Sequence, residues 1–430
     1  MHFMLDIKYI RDNTEKVKAA VKNKRAKVNI DALLKVDQER RELLTKVETI
    51  NQKRNEAAKA KDIAAGKAIK EELSGLEENL KIVGEEFQAL MYQVPNVPSD
   101  DTPVGVDETG NKVLRKWGEP TKFTFTAKEH FELGKVLGFI DNERAGDVAG
   151  SRFTYLKGDL VLLQFALAQF VMGILTNETT LKKIIKKSGL KVSPKPFVPV
   201  APPLMIRPEV MQKMARLEPR EERYHIPSDD LYLIGSAEHT LGPLHMGETL
   251  PEELLPLRYC ALTPAFRREA GTYGKDMKGI LRLHQFDKLE MESFGLSEAG
   301  LAEQDFFVAI QEYFLQALDL PYQVVAICTG DMGGPDARQI DIETWLPGQG
   351  RYRETHTADF MADYQARRLN TKVKRVDGKS ELVYMNDATA VAMGRTLVAI
   401  LENYQQADGT IRVPKVLQEY VGKKIIGGQT

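Results

Sequence analysis

Between positions 31 and 92 the chain has no proline and carries one repeating apolar stripe, and this stretch restricts its folding more than any other. In the first half Leu33, Val36, Leu43, Val47, Ile50 and Ala57 follow steps of three and four, with Arg40 and Arg54 standing at two stripe positions. In the second half Ile69, Leu73, Leu76, Leu80, Val83, Phe87 and Leu90 step four, three, four, three, four, three. Such spacing keeps one apolar seam turned toward a partner helix. The interruption at Ala64-Ala65-Gly66 is the expected point of reversal. The simplest product is one antiparallel helical hairpin over about residues 28–95, each arm about 45 Å long. A dimerising coiled coil has the same periodicity. Charge separates the two only partly. Near the expected tip Lys53, Arg54, Lys59, Lys61, Lys67 and Lys70 face only Glu56 and Asp62. A projecting arm with a basic tip suits a phosphate backbone, because each neutralised phosphate releases counterions. A solvated basic face reads the same way.

PNVPSDDTPVG (95–105) is the best boundary, dividing residues 1–105 from 106–430. Beyond it, ELVYM (381–385) and PYQVVAI (321–327) read as strands, and 159–175 and 394–405 as helices. This is an α+β pattern without regular βαβ alternation. The lysine-rich segment 176–195 reads as an insertion between a helix and a strand. Lys and Arg number 60 against 61 Asp and Glu, so any nucleic-acid partner must be sought in local charge. Cys260 and Cys328 form no metal-ligand spacing, and so few cysteines fit a reducing, cytoplasmic setting. The opening MHFMLDIKYIRDNTEKVK lacks an apolar targeting core, and no run reaches the roughly 18 apolar residues of a membrane helix.

No GxxxxGK[ST] loop or strand–GxGxxG–helix unit is present, so any ATP must be held by arginines and carboxylates. The densest candidate is TPAFRREAGTYGKDMKGILRLHQFDKLEME (263–292), read as strand, long loop, strand. Arg267 and Glu269 would share one face, with Leu283, Phe286 and Glu290 near them on the other strand. An arginine can clamp a phosphate, a carboxylate can accept from an adenine amino group, and Phe286 can stack on the base. A decorated surface hairpin has the same composition.

FRREAG (266–271) followed by GILRLHQFDKLE (279–290) resembles motif 2 of class II aminoacyl-tRNA synthetases in its seryl version. GRTLVAILENYQ (394–405) resembles the seryl motif 3, whose arginine is Arg395. LYLIGSAEHTLGPLH (231–245) resembles the serine-binding stretch, with Ser236 in place of threonine. FVPVAPPLMIR (197–207) resembles motif 1, the dimer-interface strand. CTGDMG (328–333), YQARRLN (364–370), WGEP (117–120) and ERAGDVAGSRF (143–153) match further family stretches in family order. The chain is thus similar throughout to seryl-tRNA synthetases of the bacterial type. The resemblance implies a helical-hairpin arm before an antiparallel catalytic sheet flanked by helices, assembled as a homodimer. It implies ATP and serine as substrates, Mg²⁺ as cofactor and tRNA(Ser) as partner, with tRNA(Sec) as a further acceptor it allows.

Carried over residue by residue, Arg267, Glu269 and Arg395 become the catalytic set. Arg267 would hold the ATP α-phosphate and the serine carboxylate. The ATP site would also take in Arg268, Glu269, Leu283, Phe286, Thr355 and His356, with Arg395 on the γ-phosphate. Glu354 and Thr357 would bind Mg²⁺. Ser236, Ala237, Glu238, Glu290, Asp387 and Thr389 would surround serine beside Arg267. Lys53, Arg54, Lys59 and Lys61 would meet tRNA. Three stretches depart from the family pattern. ETHTADF (354–360) stands where E-[IV]-S-S-C-S-N is usual, Asp387 takes the asparagine position of motif 3, and GGPDARQIDIETW (333–345) lacks the usual tyrosine before Asp341. Asp387 adds a negative charge near Glu290. Either a nearby base offsets it, or the pocket prefers a different amino acid. A paralogue with another amino acid or acceptor, or an RNA-binding regulator, is the alternative these departures raise.

Overall fold

The protein is described by a computed structural model covering residues 5–60, 62–270 and 278–427. It comprises two compact units, Met1–Val97 and Pro98–Thr430.

In the first unit, helices Ile7–Asp12 and Thr14–Asn23 precede a hairpin of two 31-residue helices, Ile30–Ala60 and Ile63–Gln93. The stripe faces inward as its period requires: Leu33, Val36 and Ile50 are buried on one helix, and Leu73, Val83 and Phe87 on the other. Near the base, Ile10, Val17 and Met91 complete the cluster. Arg40 fits the apolar stripe because its guanidinium lies 4.5 Å from the centre of the Phe87 ring and 3.6 Å from Asp37. Asp37 is wholly buried and is also held by Arg11 and Arg41, at 3.2 and 3.1 Å. The chain does not reverse at Ala64-Ala65-Gly66. Asp62 caps the second helix by accepting from Ala65 N at 2.9 Å, and Gly66 lies within that helix. Alanine is the strongest helix former, and an aspartate at the N-cap satisfies a first-turn N–H, so the turn falls before the alanines. Lys53, Arg54 and Lys59 are exposed. Lys61 lies outside the described residues.

The second unit is organised by an eight-stranded sheet. Its strands are β1 (Lys112–Trp117), β2 (Val198–Pro199), β3 (Leu257–Phe266), β4 (Gln285–Gly295), β5 (Tyr322–Ala326), β6 (Arg338–Leu346), β7 (Arg351–Ala362) and β8 (Tyr384–Ala392). Their order is β1-β5-β6-β7-β8-β4-β3-β2, antiparallel throughout except for the final β3–β2 pair. Period-two alternation gives the sheet two faces. Leu289, Met291, Ala388, Ala358, Ile340 and Ile342 enter the main core with Phe307 and Phe314 of helix Gly300–Ala317. Lys288, Glu290, Glu292, Thr389, Asp387, Thr357 and Asp359 take the opposite face. The buried carboxyls of β4, β7 and β8 gather on that face, and the site forms on it.

The back helix also reaches into the sheet. Gln304 Nε2 donates to the carbonyls of Arg338 and Ala358 at 2.9 and 2.8 Å. Gln311 Nε2 donates to those of Thr357 and Thr389, both at 2.8 Å. The β7–β8 ladder begins at Ala358–Ala388, so Gln311 bridges the strands where their own pairing stops.

The lysine-rich segment is mostly helix, Glu178–Ser188, capped by Asn177 and burying Leu181 and Ile184. ELVYM is divided between strand Ser380–Leu382 of a small sheet and the start of β8, with buried Val383 between them. Among the described residues no single helix is long and apolar enough to cross a membrane.

Candidate active site

β3 and β4 pair from Phe266↔Gln285 upward, and the chemistry begins where that ladder ends. Arg267 N donates to His284 O at 3.0 Å, and His284 Nδ1 lies 2.9 Å from Arg267 O. The Arg267 side chain is fixed by Nε donating to Gly235 O at 3.0 Å, and its guanidinium lies 5.4 Å from the Phe286 ring centre. Gly235 is itself held, because its N–H donates to His239 Nδ1 at 3.2 Å. Burial pushes His239 down to about 3, so the ring is neutral and can accept there. Glu269 does not continue the strand alternation: its φ is +52° and its carboxylate pairs with Arg282. Arg268 turns elsewhere, its guanidinium 5.6 Å from the Tyr224 ring centre, and it does not line the cavity described below.

The other wall comes from β7 and the helix Met393–Asn403. Arg395 Nη1 lies 2.6 Å from Glu354 Oε1 and donates to Glu354 O at 3.2 Å. Partial desolvation works to raise the Glu354 carboxyl, but Arg395 outweighs it and holds it below the usual range. Gly394 is required next to Arg395, since a Cβ there would sit 2.9 Å from Ile280 O. Gly279, with φ +72°, would put a Cβ 2.2 Å from His130 Nε2. His130 closes this corner. Its Nε2 accepts from Ile280 N at 3.3 Å, so Nδ1 carries the proton toward Glu402 Oε1 at 3.1 Å. One buried imidazole thus ties the Gly279–Leu283 segment to the helix that carries Arg395. Neither His130 nor Glu402 stands in the sequence-derived site.

These walls enclose a cavity of about 90 Å³. Arg267, Glu269, Leu283, Phe286, Glu354, Thr355, Thr357, Thr389 and Arg395 line it, together with Ile280, Lys288 and Gly394. His356 does not. It pairs with Ile342 on the back of the sheet, is 1% exposed, and lies 5.2 Å from the Phe314 ring. Burial pushes it down to about 3, which makes it a neutral core residue bonded to Thr355 Oγ1 at 2.8 Å. The strand alternation explains this: of Thr355-His356-Thr357, the middle residue points away from its neighbour Thr357. Ala237 is likewise buried, packed with Leu241 and Ala261.

Beneath the cavity, Lys288 Nζ lies 2.5 Å from Glu290 Oε2 and donates to Ser236 Oγ at 3.0 Å. Ser236 Oγ in turn donates to Glu290 Oε2 at 3.2 Å. Burial raises Glu290 to about 8, against the pull of Lys288. Burial also works to raise Glu238, but Lys288 and Arg216 together hold it well below the usual carboxylate range. Asp387 is buried and raised to about 6 by that burial, and Arg216 Nη2 stands 3.1 Å from its Oδ2. Arg216 was not among the sequence candidates, since it belongs to no motif; nor was Glu292, although it lies two residues beyond Glu290 on the same strand face. The arrangement offers cations for phosphates at two ends, an apolar slot between Ile280, Leu283 and Phe286, and carboxylates for an ammonium group.

Two family models match this chain: the seryl-tRNA synthetase N-terminal domain over residues 4–98, and the class II tRNA synthetase core domain (G, H, P, S and T) over 222–404. A serine--tRNA ligase of Brucella canis is 40% identical over 434 residues, covering 97% of this chain and 98% of the relative. One from Thermodesulfovibrio yellowstonii is 38% identical, covering 98% and 100%. The crystal structure of seryl-tRNA synthetase from Pyrococcus horikoshii complexed with ATP superposes with a TM-score of 0.87 at 36% identity, covering 98% of this chain and 99% of that one. With full-length similarity at this level in sequence and fold, the chain belongs to the seryl-tRNA synthetase family of class II aminoacyl-tRNA synthetases.

Proposed function

We propose that this serine--tRNA ligase forms seryl-adenylate in the cavity between Arg267 and Arg395 and charges tRNA(Ser) held by its N-terminal unit. The observation that carries the site assignment is the convergence of Arg267, Phe286, Glu354 and Arg395, from three separate stretches of chain, on one cavity above the Ser236–Lys288–Glu290 triad. The relative from P. horikoshii, complexed with ATP, supports ATP as the nucleotide.

In this reading the adenine ring enters the slot between Phe286 and Ile280, and Arg267 spans the α-phosphate and the serine carboxylate. The serine ammonium meets Glu290 and Glu238, and its hydroxyl meets Thr389 and the floor near Asp387. One carboxylate oxygen of serine attacks the α-phosphorus in line. The α–β phosphoanhydride bond breaks and pyrophosphate leaves with its electron pair. Arg267 and Arg395 neutralise charge on the phosphoryl oxygens, so positioning and electrostatics do the catalysis. The terminal ribose hydroxyl of tRNA then attacks the seryl carbonyl and AMP leaves. Glu354, half-exposed at the cavity wall, and the Thr357 hydroxyl are oxygen donors of the kind a hard cation takes. They would hold Mg²⁺, which when bound supplies positive charge to the phosphates. Asp341 is a further oxygen donor beside them: burial, and then Glu354, push its carboxyl well above the usual range.

The exposed Lys53, Arg54 and Lys59 of the hairpin, with Lys61, would track the tRNA backbone. The β2 region, Phe197–Pro203, would form a homodimer interface, and the enzyme would work in the cytoplasm. Serine-dependent exchange of pyrophosphate into ATP tests the central claim. Exchange with serine above every other amino acid of similar size is expected, and its absence would overturn the assignment.

A further inference from the structure

The polar face of the sheet continues below the serine triad into a row of acids, of which the serine reading uses only Asp387. Glu292 on β4 stands opposite Asp387 on β8, and Asp387 stands opposite Asp359 on β7. All three are buried. Arg216 faces the row, 3.1 Å from Asp387, 3.9 Å from Asp359 and 3.8 Å from Asp336. Lys288 is taken up by Glu290 and Ser236. Carboxyls therefore outnumber the permanent cations among these side chains. Glu292 is the sharpest case: it is 0% exposed, and neither of its side-chain oxygens has a hydrogen-bond partner. One oxygen of Glu238 is also buried without one.

A buried acceptor without a donor is costly, more so when charged, and calls for an explanation, one of which is a ligand that brings the donors. Serine brings one ammonium and one hydroxyl. In the reading above, the ammonium is taken by Glu238 and Glu290 and the hydroxyl by Thr389. Nothing in serine answers Glu292 or the excess acid around Asp387. What would answer them is a second cationic donor, placed where the hydroxyl sits and carried on a side chain no longer than serine's.

We propose that the row Glu292–Asp387–Asp359 forms a second recognition layer, through which the enzyme also activates a serine-sized amino acid bearing an ammonium group on its β-carbon. L-2,3-Diaminopropionate is the simplest such compound. The inference rests on the serine-activation reading, since it uses the same cavity and the same in-line adenylation by the substrate carboxylate. Burial, then Asp387, push the Glu292 carboxyl well above the usual range. A neighbouring ammonium would release that proton and exchange an unsatisfied acid for an ion pair.

The test is pyrophosphate exchange by the full-length protein with L-serine, L-alanine and L-2,3-diaminopropionate, in wild type and Glu292→Gln. Because alanine lacks any polar β-substituent, its kcat/KM should lie about 10⁴-fold below that of serine. The diamino acid is expected at least about tenfold above alanine in wild type. In Glu292→Gln the ratio of kcat/KM for the diamino acid to that for serine should fall about tenfold or more. That ratio is independent of the fraction of protein that folds. A diamino acid less than about tenfold better than alanine, or a ratio moved by less than about tenfold, overturns the proposal while leaving serine activation standing. If serine itself supports no exchange, the serine reading falls and the proposal falls with it.

Discussion

Arg216 Nη2 sits 3.1 Å from Asp387 Oδ2, and this contact decides how the pocket floor is charged. Burial works against the guanidinium charge, but Asp387 and Asp336 outweigh it, so Arg216 stays ionised. Paired in this way, Asp387 presents one acceptor and little net charge, much as the family's asparagine does. Asp387→Asn should therefore keep serine activation within about tenfold, which is ~1.4 kcal/mol. Pyrophosphate exchange at varied serine decides it; a far greater loss means that the charge takes part in the reaction. Arg216→Ala, by contrast, strands several buried acids. It should cost about 3–5 kcal/mol of stability, read from denaturant unfolding.

Arg395 and Glu354 are paired with each other, and on the proposed roles that pair opens when nucleotide and metal bind. Arg395→Ala should lower kcat/KM for ATP by about 10²–10³. Glu354→Gln should move the magnesium dependence of exchange to higher concentration, with a smaller effect on serine. A magnesium curve that coincides with wild type would remove Glu354 from the metal site.

The arm divides into a base that belongs to the N-terminal core and a distal half that does not. Val36, Val83 and Phe87 pack with Ile10 and Val17, so a deletion as wide as 35–90 would damage that core. Removing residues 46–79 and joining the ends with a short flexible linker should leave pyrophosphate exchange near the wild-type rate while tRNA charging collapses. Neutralising Lys53, Arg54, Lys59 and Lys61 together should lower the slope of log affinity for tRNA against log salt by about three, at roughly 0.7–0.9 for each phosphate the arm no longer neutralises. Equal losses in exchange and charging by the folded deletion variant would contradict this division of labour.

Glu292 also fixes a pH dependence. Its folded carboxyl is raised well above the unfolded value of 4.5, so the folded state keeps a proton that the unfolded state has lost. Stability from this group is full below pH 4.5 and falls as pH rises toward the folded value. Glu292→Gln removes that loss. The variant should gain more in melting temperature at about pH 8 than at about pH 5, by differential scanning fluorimetry. A gain that is the same at both values would mean that Glu292 is ionised throughout.

The arm was readable because a heptad seam is a local pattern: each apolar residue predicts the next within one turn, and only the turn was misplaced, where Asp62 rather than Gly66 sets the helix start. Arg267, Phe286, Glu354 and Arg395 were readable as residue types in motif order, and the structure brings them to one cavity. His356 was misjudged because contiguity in a motif was followed where a strand alternates its faces. Arg216, His130 and Glu402 were out of reach for another reason. Each acts across more than 100 residues of chain, on Asp387, Ile280 or His130, and no spacing rule connects such positions. Glu292 was within reach, since period two from Glu290 points to it.

Gln311 stands behind all of this, outside the lining of the pocket. Its one amide grips the carbonyls of Thr357 and Thr389, two residues whose side chains face the cavity from adjacent strands. The width of the substrate cleft is thus gauged from the hydrophobic side of the sheet, as a calliper is set by the hand that holds it. Changes in amino-acid preference can then arise by mutation in the helix at the rear, with every contacting residue intact, and an alignment confined to the pocket would miss them.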